Sequence, residues 1–298
     1  MNIYGKMELV MEVFMPKKPI LCIMYDFDKT LCTQDMQNFG FIPDLGMTPA
    51  EFWGKTGEFS DKHGVERILS YMYVMIDEAR KKGIKLTKEY LKSTAKNIIY
   101  YKGVDTWFKR INEYGKEHGF AVEHYVISSG LYEIIQGSTI FKEFKKVYAC
   151  EYLYDESDTA IWPKLMINYT QKTQFVFRIS KGVTKISDDD TVNSRVSKDN
   201  RRVFYNNMIY IGDGITDIPC MQLVKDKGGA SIAVYKSKDK ENAKRLFQDE
   251  RVNFVSRADY SEGSPLDNIV KNIIDSREIK YKLEQLEKKE RKAIKGDK

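Results

Sequence analysis

An α/β fold built on a parallel sheet, interrupted early by a helical insert, is what this 298-residue sequence predicts, and three observations carry the prediction. Ile20 to Tyr25 is a short apolar and aromatic run that breaks off at Asp26, and Met208 to Ile211 is a second that breaks off at Gly212. Runs of this length without alternation read as strands buried on both faces. From Val122 onward, strand-like and helix-like stretches alternate, the rhythm of parallel strands joined by right-handed crossovers. Residues 33–101, between them, carry helical apolar spacing instead.

Taken in order, Met15 followed by Pro-Lys-Lys-Pro marks residues 1–14 as a loose extension, as from a start assigned too early. After the first strand, Gly64 to Lys82 places Val65, Ile68, Leu69, Met72, Met75 and Ile76 on one helical stripe closed by Gly83. Thr87 opens a second helix through Tyr101, and its neighbours' aromatic and methionine residues read as core. A third helix, Val104 to His118, carries Val104, Trp107, Phe108 and Ile111 toward a sheet face. Strand (Val122 to Ile127), turn, helix (Leu131 to Gln136, then Phe141 to Lys145) and strand (Val147 to Cys150) follow, then a hairpin from Tyr152 to Trp162 broken by Asp155-Glu156-Ser157-Asp158. Thr173 to Ile179 is a helix ended by Gly182, and the polar stretch Thr184 to Arg202 reads as a loop. Helix, strand (Ala230 to Val234), helix and a charged tail complete the chain.

Composition excludes several classes. A hydrophobic content of 42% with 31% charged residues describes an ordinary globular protein, and the length exceeds one usual core. Apolar runs fall far short of a membrane span, and Glu8 and Glu12 interrupt the one apolar stretch near the N-terminus, which argues against a secretory signal. Cys22, Cys32, Cys150 and Cys220 are scattered without C-x-x-C spacing, as in reduced cytoplasmic proteins. Residues 276–298 hold nine Lys/Arg against five Asp/Glu, four of the chain's net +6. Ile279, Leu283, Leu286 and Ile294 recur there at helical spacing, and the interleaved glutamates argue for a solvated helix and against a nucleic-acid contact.

The first strand ends in Asp26-Phe27-Asp28-Lys29-Thr30. Alternation along an extended chain points Asp26 and Asp28 the same way, and two adjacent acids near a core need a compensating cation or proton. Ser128-Ser129-Gly130, Lys172-Thr173 and Gly212-Asp213-Gly214-Ile215-Thr216-Asp217 stand at later strand or helix ends. Together, in this order, the four pieces resemble the haloacid dehalogenase (HAD) superfamily over residues 20–32 and about 103–235. The resemblance implies a Rossmann-like, HAD-like core over 15–32 plus 102–275, and a helical cap over 33–101, with the charged tail from 276.

Roles follow from residue type and from the resemblance. Phosphate esters repel nucleophiles, and catalysis is mainly positioning and charge neutralisation. Asp26, first beyond the apolar strand, is the nucleophile that forms an aspartyl-phosphate, and Asp28 the group that protonates the leaving oxygen, for which its pKa must be raised. Oxygen-only ligands and phosphate chemistry point to Mg²⁺. The resemblance implies that Asp26, the Asp28 backbone carbonyl and Asp213 hold the ion, with Asp217 in support, and that Thr30, Ser128, Ser129, Gly130 and Lys172 receive the phosphoryl group. Ser128 is preferred over Ser129 because it directly follows the apolar run. Lys172 is preferred over Lys164 and Lys181 because it opens a helix after the hairpin, as the family pattern requires.

A helical insert between the first and second motifs resembles the phosphoserine phosphatase-like branch. That likeness implies Asp35 as a substrate-binding acid, with Arg67 as the available cap arginine. The insert is longer than theirs and otherwise dissimilar, so the sequence implies a small phosphate ester and leaves the ester unspecified. Leu31 after Thr30, where P-type ATPases carry glycine, excludes that branch. A phosphomutase on the same core, or a non-catalytic phospho-ligand module for which the basic tail would be the motive, are the other readings.

Overall fold

The computed structural model describes residues 18–197, 200–236 and 240–296, so the expected extension 1–14 lies outside the described residues. Strand β1 (Ile20–Tyr25) is the middle of a seven-stranded sheet. Five helices follow it: α1 (Phe41–Asp44), α2 (Pro49–His63), α3 (Arg67–Lys81), α4 (Lys88–Thr94) and α5 (Val104–Glu117). Next come β2 (Ala121–Leu131), α6 (Tyr132–Gln136), β3 (Lys146–Tyr154), β4 (Ala160–Leu165), α7 (Gln171–Lys181) and α8 (Asp189–Asn193). The chain closes with β5 (Met208–Gly212), α9 (Ile218–Asp226), β6 (Ala230–Tyr235), α10 (Lys240–Gln248), β7 (Phe254–Arg257) and α11 (Pro265–Gly296). The strand order is β4-β3-β2-β1-β5-β6-β7, and every pair is parallel except β3 with β4.

This order reverses direction at β1, whose neighbours are β2 on one side and β5 on the other. Open α/β sheets leave a crevice at such a point, beyond the carboxyl ends of the strands. Registers pair Tyr25 with Val126 and with Ile211, so the next residue of β1, Asp26, emerges level with the end of β5, while β2 runs on past it to Leu131. The Asp26 N–H still donates to Ile211 O (3.0 Å), which holds the backbone in the sheet while the side chain leaves it.

Several expected boundaries move, each for a local reason. Gly64 does not open a helix. It adopts a left-handed conformation (φ 64°) that ends α2, and α3 starts at Arg67, with the Glu66 carboxylate accepting the Ile68 and Leu69 N–H groups. The helix expected to reach Tyr101 stops at Thr94 and passes through one 3-10 turn, after which Tyr100 bridges back to Cys32. Ser128-Ser129-Gly130 is not a turn: β2 runs on to Leu131 through an irregular register. The polar stretch 184–202 contains α8, and Arg178 fastens its approach by donating to Lys185 O and Ile186 O (both 2.7 Å). The charged tail is the far part of α11, whose first turns bury Leu266, Val270 and Ile274, while Ile279, Leu283 and Leu286 are exposed. β7 carried no sequence signal strong enough to be expected: it is four residues long with one buried side chain. Among the described residues no helix is long and apolar enough to cross a membrane.

α5 covers the sheet with Trp107, Phe108 and Ile111 and inserts a polar chain into that interface. Trp107 Nε1 donates to the Tyr25 hydroxyl (2.8 Å), so Tyr25 donates to His124 Nδ1 (3.0 Å), and His124 Nε2–H donates to Asn112 Oδ1 (3.1 Å). Burial pushes the His124 pKa down from 6.5 to about 3. Between those values the unfolded chain binds a proton that the folded chain refuses, so stability falls as pH drops below 6.5, by ~1.4 kcal/mol per pH unit. Replacing His124 by Asn is expected to shrink the stability lost between pH 7 and pH 5 by ~2 kcal/mol in urea titrations. An unchanged difference would show that this imidazole titrates freely in the fold.

Candidate active site

At the carboxyl ends of β1, β2 and β5 lies a cavity of about 230 Å³ walled by Asp26, Asp28, Lys29, Ser129, Gly130, Lys172 and Asp213 to Thr216 from the sheet side, and by Asp35, Gln37, Trp53, Ile68 and Tyr71 from the helical segment. A larger cleft of about 880 Å³ adjoins it, sharing only Lys29 and Asp213 to Ile215, and runs toward α10. The concentrated charge lies in the smaller one.

Asp26 is 5% exposed, and its Oδ1 accepts from Lys172 Nζ at 2.8 Å. Lys172 is fully buried in the first turn of α7 and donates equally to Asp217 Oδ1 (2.8 Å), which also accepts from the Tyr210 hydroxyl (2.7 Å). One ammonium group thus serves two buried carboxylates. Asp213, Asp26 and Asp217 each bring an oxygen within 4.8 Å of the others, and Asp217 Oδ2 is buried without a hydrogen-bond partner among the described residues. Three neighbouring carboxylates, two of them sharing one ammonium and one with an unpaired oxygen, form an all-oxygen donor set short of positive charge. That set fits a hard divalent cation.

Backbone approach makes this packing possible at two glycines. A Cβ on Gly212 would lie 2.5 Å from Asp217 Oδ2, and a Cβ on Gly130 would lie 2.1 Å from Met36 Cε and 2.9 Å from Asp28 Oδ2. Lys29 takes a left-handed conformation (φ 55°), uncommon for a side chain of its size, and turns the chain so that Leu31 and Cys32 N–H groups return to Phe27 O. Asp28 is held by the Met36 N–H, which donates to its Oδ1 at 2.7 Å. Lys29 itself pairs with Asp35 at 2.7 Å.

Electrostatics follow the burial. Desolvation raises the Asp26 pKa to about 7, helped by Asp217 and opposed by Lys172. Burial, then Asp35 and Asp26, lift Asp28 well above the ordinary carboxylate range. Asp213 rises for the same reason, with Asp26 and Asp217 adding to burial. Burial works against the Lys172 charge, but Asp217 and Asp26 outweigh it and hold the ammonium protonated. A carboxyl kept protonated next to one kept poised between states can move a proton at neutral pH.

Of the expected site residues, Asp26, Asp28, Ser129, Gly130, Lys172 and Asp213 meet at the cavity, and Asp217 stands directly behind Lys172. The preference for Ser128 over Ser129 is reversed on the wall. Ser128 is fully buried with its Oγ accepting the Gly130 N–H (3.0 Å), whereas Ser129, in the irregular end of β2, lines the cavity, its Oγ buried and without a partner among the described residues. Thr30 does not line the cavity: it is fully buried, its carbonyl accepting the Tyr260 hydroxyl at 2.8 Å. Asp35 lines the cavity, but Arg67 does not, since its exposed guanidinium turns outward to Asp61 (3.5 Å). Gln37, Trp53 and Tyr71 were not singled out from the sequence, where aromatic residues of this segment read as core. Only the partnering of Tyr71 O–H with Ser129 O (2.7 Å) reveals its place.

No protein-family profile matches the chain. Over 279 residues it is 27% identical to an uncharacterized protein of Borreliella burgdorferi, spanning 85% of this chain and 95% of that protein. Its fold is similar to that of a HAD family hydrolase from Salmonella enterica serovar Typhi (TM-score 0.51, 17% identity, 80% of this chain and 73% of that one). It is equally similar to a substrate-bound phosphoserine phosphatase (TM-score 0.51, 17% identity, 87% and 99%). The fold is the HAD-like, phosphoserine phosphatase-like one.

Proposed function

We propose that the chain is a Mg²⁺-dependent phosphatase of small-molecule phosphomonoesters acting through an aspartyl-phosphate. The observation that carries this reading is the buried group Asp26–Lys172–Asp217, with Asp213 beside it, at the end of the central strand. An Asp26 carboxylate oxygen forms a bond to phosphorus as the ester P–O bond breaks, and Asp28 gives its proton to the departing oxygen. Water then attacks phosphorus, Asp28 takes its proton back, and the Asp26–phosphorus bond breaks to release inorganic phosphate. Lys172 and the unpartnered Ser129 hydroxyl receive the phosphoryl oxygens, while Ser128 fixes the irregular end of β2 by accepting the Gly130 N–H. Asp26, Asp213 and Asp217, with the Asp28 carbonyl, would hold Mg²⁺, which neutralises phosphoryl charge when bound. Residues 33–101 act as the cap that closes over the alcohol and excludes water.

Phosphate release from p-nitrophenyl phosphate is expected with Mg²⁺ and to cease with excess chelator. Mg²⁺ at about a hundredfold over its dissociation constant should also stabilise the protein by ~2.7 kcal/mol, read as a rise in Tm. Asp213→Asn is expected to lose most of that rise. Turnover that survives chelation would sink the metal-dependent reading.

A further inference from the structure

We propose that the far half of α11 pairs with the same helix of a second copy, in parallel, as a short coiled coil that makes the protein a homodimer. The first turns of α11 bury Leu266, Val270 and Ile274 in the body, but Ile279, Leu283 and Leu286 are each between 58% and 61% exposed. Spaced four and then three residues apart, they form one apolar stripe at positions d, a and d of a heptad. Single exposed leucines need no explanation, but a contiguous apolar stripe marks a surface that gains by being covered.

The stripe is open to such a partner. Arg277 donates to Gly228 O (3.0 Å), and the rings of Tyr281 and Phe120 lie 6.4 Å apart, so these residues mark the side of α11 that rests on the body. At about 3.6 residues per turn the stripe lies nearly opposite them. Two bodies related by a twofold axis along the paired helices then lie on opposite outer sides. Further along, Lys288 and Arg291 line one groove with Pro19 and Asn206, which precede β1 and β5. The helix thus runs past the amino ends of these strands, and a second copy on the stripe leaves both cavities, at the carboxyl ends, uncovered.

Charge on the flanks selects the partner and its direction. In a parallel pair, position g of one helix faces position e of the next heptad on the other. That sets Asp275 against the partner's Lys280, and Lys282 against the partner's Glu287, two attractions that recur on both sides of the pair. Asp275 also accepts from the Tyr114 hydroxyl (2.7 Å), yet 43% of its side chain stays exposed. Antiparallel pairing would instead bring Lys282 against the partner's Lys282 or Lys289, depending on the stagger. Glu290 takes the next a position and ends the seam, so the coiled coil is short. Each helix is already held by its own body, which lowers the cost of pairing. Association is expected at roughly 10–100 µM.

Sedimentation equilibrium of the full-length protein tests this between about 5 and 300 µM, a range over which monomer is expected to give way to dimer. Leu283→Glu should abolish the dimer and leave the Tm of the dilute monomer unchanged, because that side chain is exposed there. Leu286→Gln provides the same reading should the first variant fold poorly. Lys282→Glu and Glu287→Lys should each weaken the dimer about tenfold, by turning two attractions into repulsions, and combining them should restore it. Wild type that stays monomeric at about 300 µM overturns the inference, whether residues 1–17 of the same chain or another protein covers the stripe. A dimer that survives both leucine variants overturns it too. A double exchange no tighter than the single ones overturns the parallel pairing.

Discussion

Asp26→Asn is expected to lower phosphate release by a factor on the order of 10⁴ or more, because an amide cannot replace the carboxylate that bonds to phosphorus. The protein should remain folded. Burial raises the Asp26 pKa from 3.8 to about 7, so its ionised form is disfavoured in the native state. For an acid shifted upward, the stabilising contribution is present below the unfolded pKa and is lost as pH rises through the folded one. Wild type without metal is therefore expected to lose stability between about pH 4 and pH 7 relative to the variant, by ~1.4 kcal/mol per pH unit at most. Melting curves in chelator at pH 5 and pH 8 read this directly. Substantial turnover in the variant would remove Asp26 from the role of nucleophile.

The second large effect is expected at Lys172. Replacing it with Met keeps the volume of the stem but leaves Asp26 and Asp217 facing one another, both hydrogen-bonded to the lost ammonium at 2.8 Å. Breaking a buried ion pair by removing one partner costs about 3–5 kcal/mol, here a fall in Tm of roughly 10 °C. Phosphate release should fall by about 10²–10³ as well, since the phosphoryl group loses its fixed positive charge. Added Mg²⁺ is expected to recover part of the Tm and little of the rate, because a cation between the carboxylates offsets their repulsion without replacing the ammonium. A Tm unchanged in chelator would mean that Lys172 does not balance these acids.

The fold was legible where a local pattern suffices. β1 and β5 announced themselves as uninterrupted apolar runs, and their abrupt ends placed Asp26 and Asp213 beside one another once the sheet was taken as parallel. Strand β7, too short to show a pattern, and the stop of α4 at Thr94 were not legible. At Gly40 a Cβ would lie 2.6 Å from Thr94 Cβ, so the two segments meet in contact that no local preference encodes.

Residue type and chain order alone determined the acids, the lysine and the glycines gathered at the cavity, because a strand end exposes its next side chain wherever the strand lies. Tertiary structure alone decided which residues line the cavity. Ser129 rather than Ser128 reaches the cavity, in the stretch where β2 changes register. Arg67, the first residue of α3 after the Glu66 cap, turns outward to Asp61. Gln37, Trp53 and Tyr71 join the site through contacts such as Tyr71 with Ser129, 58 residues apart. Direction of burial is set by the sum of such distant contacts, and no window of sequence contains it.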